Sequence, residues 1–270
     1  MHADFPFAGQ LQAASKAATL AEKGIRKYFN GSFDVDIKED NSPVTVADVE
    51  AEKTIRASLL DDYADYGFYG EETGQLHADA SHLWLVDPID GTKSFVRHSP
   101  FFSTQIALMS AQGLVVGVSN APCYGGDAGT QSGGERVEAA VGFGCRFNGH
   151  EVHTSDVSSL EKAYLSAGNL KTMANSSDSW QRYGQLIRTV ARVRGYGDFC
   201  HYHQLVSGQA DLVVESDVNI LDIAALVVAV REAGGVFTDL QGGDITLETT
   251  SVLAAATPEL HGAALSLLNE

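Results

Sequence analysis

Cysteine is scarce in this chain of 270 residues: Cys123, Cys145 and Cys200 stand far apart with no pattern. No Cys-x-x-Cys pair or even-numbered framework occurs. That excludes a zinc knuckle and a secreted disulfide scaffold and points to a reducing compartment. Long apolar runs are missing too, the longest being IAALVVAV from Ile223 to Val230, far too short to span a bilayer. The first residues lack a basic segment followed by an apolar one, so no signal peptide is expected and a cytoplasmic location is. Positive charge is the third shortage. Against 35 Asp and Glu stand only 18 Lys and Arg, a net charge of −17. Such a surface repels nucleic acid and anionic membranes, so neither is expected as a partner, and an anionic ligand would need cations to mediate its binding. There is no Gly-x-x-x-x-Gly-Lys-Ser/Thr phosphate loop and no EF-hand loop. Nothing specifies the sugar cleft of a glycosidase.

What is present is an ordinary globular composition, 44% hydrophobic and 20% charged. Leu11, Ala14, Ala18, Ala21, Ile25 and Phe29 recur at helical spacing, predicting a helix from about Ala8 to Phe29. A second helix starts after Asn41-Ser42-Pro43, with Thr45 as cap and Asp48 in the acidic capping-box position. YGFYGEETG reads as a strand entering an acidic turn. STQIALMSAQGLVVGVSNAP and CRFNGHEVHT both read as hairpins. The later part alternates strands and helices, including the apolar helix ILDIAALVVAVREAGG closed by two glycines. Helices first, then meandering strands, then alternation predict layered α/β structure in one catalytic domain over 1–270. Within it, residues about 1–150 carry the acidic motifs and about 151–270 the later determinants.

Five acids adjoin strongly apolar sequence: Glu71 and Glu72 in YGEETG, Asp87 and Asp90 in LWLVDPIDGTKSF, and Asp222 in ILDIAAL. Unpaired carboxylates are costly there, and several together are costlier unless they bind cations or share protons. Oxygen ligands of this kind suit Mg²⁺ or Mn²⁺, whereas zinc would call for His or Cys. Pro88 makes the Asp87–Asp90 segment read as a rigid turn, with both carboxylates on one side and a backbone carbonyl between them. Gly91 and Thr92 offer N–H groups and a hydroxyl of the sort a phosphate needs. Turn-forming Asp residues without a ligand remain the competing reading of the spacing.

GEE, WLVDPIDGTKSF and LDIAALVVAVREAGG resemble, in order and over nearly the whole chain, three signatures of the inositol monophosphatase family of Mg²⁺-dependent, lithium-sensitive phosphatases. Leu221 stands where that family usually has Trp, Leu226 where it often has Gly, and Lys93 where many inositol phosphatases have Thr. The resemblance implies alternating αβαβα layers and a homodimer. It implies a phosphomonoesterase with two or three Mg²⁺ ions (Mn²⁺ as substitute) and a small phosphomonoester as substrate. Metal ligands by resemblance are Glu71, Asp87, the Ile89 carbonyl, Asp90 and Asp222. Glu71, Thr92, Asp48 and Lys38 would be catalytic, with Asp48 helping Thr92 orient the attacking water and Lys38 an electrostatic helper. Their competing roles are a capping acid and a solvated lysine. Asp90, Gly91, Thr92, Asp198, Glu215 and Asp222 would meet the substrate.

For the substrate, Gly197-Asp198 is similar to the bacterial and plant histidinol-phosphate phosphatase branch, where inositol-specific members usually carry Gly-Thr or Gly-Ser. Acids at Asp198 and Glu215 suit a cationic amine. L-Histidinol phosphate is therefore the first expectation. Myo-inositol monophosphate is the alternative, and a catalytically idle cation-binding protein is the reading from another class. Helix capping is the plainer role for Asp198. His201 and His203, two apart in one helix, read as packing residues, as do Phe101, Phe102 and Trp84.

Overall fold

The stripe Leu11, Ala14, Ala18, Ala21 and Ile25 lies buried along α1 (Ala8–Phe29), as its spacing predicts. The computed structural model describes residues 5–31, 35–37, 43–125 and 133–269. β1 (Val35–Ile37) and β2 (Pro43–Thr45) pair antiparallel and lead into α2 (Val46–Asp62). β3 (Gly67–Gly70), β4 (Gly74–Leu76) and β5 (His82–Asp90) then precede the short α3 (Thr92–Val96). β6 (Ser103–Ser110) and β7 (Gly113–Ala121) form the first expected hairpin. β8 (Glu135–Ala140) is followed by β9 (Gly144–Phe147) and β10 (His150–Val152), the second hairpin, turning at Asn148 and Gly149 with positive φ.

The remaining chain alternates. β11 (Tyr164–Gly168), α4 (Lys171–Ala174), α5 (Ser177–Thr189), β12 (Arg192–Arg194) and α6 (Asp198–Val206) come first. β13 (Leu212–Ser216), α7 (Ile220–Glu232), β14 (Val236–Asp239), β15 (Ser251–Ala255) and α8 (Pro258–Asn269) complete it.

Among the described residues, the larger sheet has eight strands in the order β10-β9-β8-β7-β6-β5-β3-β4 and the smaller has five, β12-β11-β13-β15-β14. α1 and α2 cover one face of the large sheet through Phe68, Trp84, Val86, Ile106 and Leu108. Its other face, with Leu83, Leu85 and Ala107, meets α6 and α7, which also pack on Val213, Val252 and Ala254 of the small sheet. Leu165, Leu212, Val214 and Leu253 face the last layer, α5 and α8. This is the expected αβαβα layering. α7 shows why: ten of its residues are buried, and a helix apolar all round must lie between two covering layers. Among the described residues no helix is long and apolar enough to cross a membrane.

Candidate active site

Three parallel strand pairs fix where the acids arrive. β3 runs parallel to β5, and the Glu71 N–H donates to the Val86 carbonyl at 3.2 Å, so the GEE turn sits beside the end of β5. In the small sheet β11 is parallel to both β12 and β13. Their carboxyl ends deliver Gly168–Asn169, Gly197–Asp198 and Glu215 together. Ligand sites of open α/β sheets gather at such strand ends.

Asp87-Pro88-Ile89-Asp90 is not a turn beyond the strand, as its composition suggested, but the end of β5 itself. Asp87 pairs with Gln105 and Asp90 with Ser103, so three steps on β5 match two on β6. In a regular strand, residues three apart face opposite sides. The extra residue of this bulge brings both carboxylates to the same side. Pro88 has no N–H to give to the ladder, and its carbonyl instead accepts the Thr104 hydroxyl at 2.8 Å. The Ile89 N–H donates to Asp87 Oδ1 at 2.9 Å, fixing that carboxylate. Gly91 follows with φ 91°, and a Cβ there would lie 2.8 Å from the Phe101 carbonyl oxygen, so a glycine is required.

Asp48 and Asp222 reach the site by a shared local device. Each is the third residue of a capping box, with Thr45 opening α2 and Asn219 opening α7. Asp48 Oδ2 accepts the Thr45 N–H at 2.8 Å and hydroxyl at 2.6 Å, while Oδ1 faces the Thr92 hydroxyl at 3.2 Å. Capping and orienting Thr92 are thus one role, not competing ones. Thr92 also lies 3.0 Å from the Ile89 carbonyl. Asp222 accepts from the Asn219 N–H at 2.9 Å and its Nδ2 at 2.8 Å.

Side-chain oxygens of Asp87, Asp90 and Asp222 all lie within 4.8 Å of one another. Two unit charges at that range repel by about 3 kcal/mol at an effective dielectric of 20. Burial first, then Glu71, Asp90 and Asp222, pushes the Asp87 carboxyl well above its usual range. Asp90 rises likewise through burial and then the charges of Asp198, Asp222, Glu215 and Glu71. Burial drives Asp222 up to about 7 against the hydrogen bonds from Asn219. Burial also raises Asp48, against the bonds from Thr45. Glu71 is exposed at the rim, outside that trio, yet its side chain hydrogen-bonds Asp87. Such a set cannot hold its full negative charge without a cation. Its oxygen-only chemistry fits a hard divalent ion such as Mg²⁺ or Mn²⁺.

The second acidic group borders the first. Glu215, 2% exposed, accepts from His201 Nε2 at 3.0 Å, Tyr202 at 2.9 Å and Asn169 at 3.3 Å. Asp198 is half-buried and is the first residue of α6, with Gly197 in the cap position, so it is not the N-cap that the sequence suggested. Its φ is 46°, in the left-handed region. Burial, then the charge of Glu215, raises its carboxyl to about 6, with His201 pulling the other way.

His201 and His203 are buried as expected, but both are bonded to carboxylates, Glu215 and Glu135, so they do more than pack. Phe102 and Trp84 are core residues, and Phe101 packs edge-on to Tyr124 beside Phe199. Lys93 is exposed, and Lys38 lies outside the described residues.

Sequence reading missed Glu52. It is fully buried on α2, and its carboxylate accepts the N–H groups of Glu72 at 2.7 Å and Thr73 at 2.8 Å. A Cβ on Gly70 would stand 2.5 Å from that carboxylate. Glu52 therefore holds the turn that carries Glu71 and Glu72. The signal was available: Asp48, Ala51, Glu52, Ile55 and Leu59 form one helical stripe, and an acid on it cannot face solvent.

The layered fold and the acid cluster at its strand ends fit a class of hydrolases that use metal ions on phosphate esters. Comparisons agree. A profile of the inositol monophosphatase family matches residues 9–270. Histidinol-phosphatase of Mycobacterium tuberculosis is 38% identical over 239 residues, spanning 86% of this chain and 88% of that protein. Histidinol-phosphatase of Streptomyces coelicolor is 33% identical, covering 96% of this chain and 97% of its own. Among solved structures, an inositol monophosphatase from Zymomonas mobilis superposes with a TM-score of 0.84 at 30% identity, covering 99% of this chain and all of that one. The chain belongs to the inositol monophosphatase family. It is accordingly a phosphoric monoester hydrolase, of a metal-dependent family, and the catalytically idle reading falls away.

Proposed function

We propose that this chain is a Mg²⁺-dependent histidinol-phosphate phosphatase, releasing histidinol and phosphate. The observation that carries the substrate is Asp198. A half-buried carboxyl, raised to about 6 by burial and by Glu215, stands beside the Asp90 cluster. A substrate ammonium there would relieve that repulsion, which a neutral polyol cannot do. Glu215 is enclosed by three donors, so it serves by its charge and by shaping the recess. The relatives named for this activity support the same reading.

Asp87, Asp90 and Asp222, with Glu71 and the Ile89 carbonyl, would hold the metal. When bound, it supplies charge neutralisation at the phosphate and a lowered pKa for water. Asp48 takes the Thr92 hydrogen, leaving a Thr92 lone pair to align the attacking water. The N–H groups of Gly91 and Thr92, at the start of α3, would be the donors to the phosphate oxygens. Myo-inositol monophosphate is the second reading, favoured by the overall match to the Zymomonas enzyme.

Phosphate release from L-histidinol phosphate and from myo-inositol 1-phosphate, with Mg²⁺ and with or without Li⁺, separates the two. Preference for histidinol phosphate is expected, lost in Asp198→Thr by about 1–3 kcal/mol in kcat/KM. Equal or better turnover of the inositol ester by the wild-type chain would refute the substrate.

A further inference from the structure

β6 and β7 are buried strands, yet they carry Ser103, Gln105 and Ser119 at 0–1% exposure. Gln105 and Ser119 are cross-strand partners, and Ser103 is paired with Asp90. Gln105 Nε2 lies 2.8 Å from Ser103 Oγ and 3.1 Å from Ser119 Oγ. Ser103 Oγ is 3.4 Å from Asp90 Oδ2. Ser119 Oγ is 2.8 Å from His203 Nε2, and His203 Nδ1 is 3.0 Å from Glu135 Oε2. Six residues from four strands and α6 thus form one continuous hydrogen-bonded line from the acid cluster to Glu135.

Donor counting sets its direction. Glu135 is a carboxylate and can only accept, so His203 carries its proton on Nδ1. Burial lowers the His203 pKa, keeping the ring neutral and leaving Nε2 as an acceptor. Ser119 therefore donates to His203 and accepts from Gln105. The second Gln105 hydrogen goes to Ser103, whose only hydrogen is then left for Asp90. Every hydroxyl rotor in the line has one setting. Such a line is not retained for core stability: Gln105 Oε1 is buried with no partner among the described residues, a cost an apolar side chain would avoid.

We propose that Ser103, Gln105, Ser119 and His203 are positioning residues that commit Asp90 Oδ2 to a hydrogen bond and so set the affinity of the acid cluster for Mg²⁺. The proposal rests on Asp90 being a metal ligand. Groups that hydrogen-bond a ligating carboxylate typically contribute 10- to 100-fold in metal affinity.

The test is Mg²⁺ binding to the substrate-free full chain by titration calorimetry, with melting temperature recorded for each variant. Ser103→Ala, Gln105→Leu and His203→Leu are each expected to weaken Mg²⁺ by roughly 10-fold or more. His203→Gln, whose amide oxygen can take the Ser119 hydrogen, recovers most of that loss. In a Ser103→Ala background, His203→Leu has no further effect, because the line is already cut. Folded Gln105→Leu and His203→Leu variants with wild-type Mg²⁺ affinity would overturn the proposal, whatever their melting temperatures. So would a His203→Leu effect that persists undiminished after Ser103→Ala. Wild-type Mg²⁺ binding in Asp90→Asn would instead remove the metal assignment beneath it.

Discussion

Metal-free protein should lose stability as pH rises from about 4 to about 7, the reverse of ordinary carboxylate behaviour. Asp222 illustrates the size. Its carboxyl rises to about 7 in the folded chain from the 3.8 expected when it is unfolded. Between those values the folded state keeps a proton that the unfolded state has released, so folding weakens with rising pH. Three pH units correspond to about 4 kcal/mol from this group alone, stability that is fully present below about pH 4 and fully lost above about pH 7. Asp87 and Asp90 act in the same direction. Mg²⁺ replaces the protons, so its stabilisation grows with pH. At 100-fold excess over Kd it contributes about 2.7 kcal/mol. For a chain of this size that is roughly 5–10 °C in melting temperature. Melting curves of chelator-treated protein, with and without MgCl₂ across this pH range, measure both effects. Asp222→Asn should flatten the metal-free pH dependence and shrink the Mg²⁺ upshift, while activity falls by orders of magnitude. An Mg²⁺ upshift equal at about pH 5 and about pH 8, or unaltered in Asp222→Asn, would refute the reasoning.

Two further outcomes follow from residues around the cluster. Glu52→Gln keeps the volume but sets an NH₂ group against one of two backbone N–H donors; about 1–3 kcal/mol of stability should be lost, with activity falling as Glu71 shifts, measured by denaturant unfolding and phosphate release. Gly91→Ala places a methyl 2.8 Å from the Phe101 carbonyl at positive φ, and a loss of about 1–3 kcal/mol with sharply reduced turnover is expected.

Local signals announced much of this molecule. The capping box of Asp48, the opening stripe of α1 and both hairpins are short-range features, and the chain adopts them as read; the Asn219–Asp222 box that opens α7 is equally local but went unread. What depends on register was not legible. Asp87 and Asp90 share a side because β5 bulges against β6, and only pairing reveals an extra residue. Pro88 looked like a turn residue because composition does not say that the strand continues through it.

The amino-acid sequence by itself singled out the acids that need a shared site: carboxylates beside apolar runs cannot be buried without a cation or a shared proton. Tertiary structure alone decided which of them lie together. Parallel strand ends bring Asp198 and Glu215 against Asp90, and β6, β7 and α6 link Asp90 to His203 and Glu135. Those contacts reach as far as from Asp90 to Glu215, 125 residues along the chain, a distance over which periodicity and turn chemistry carry no information.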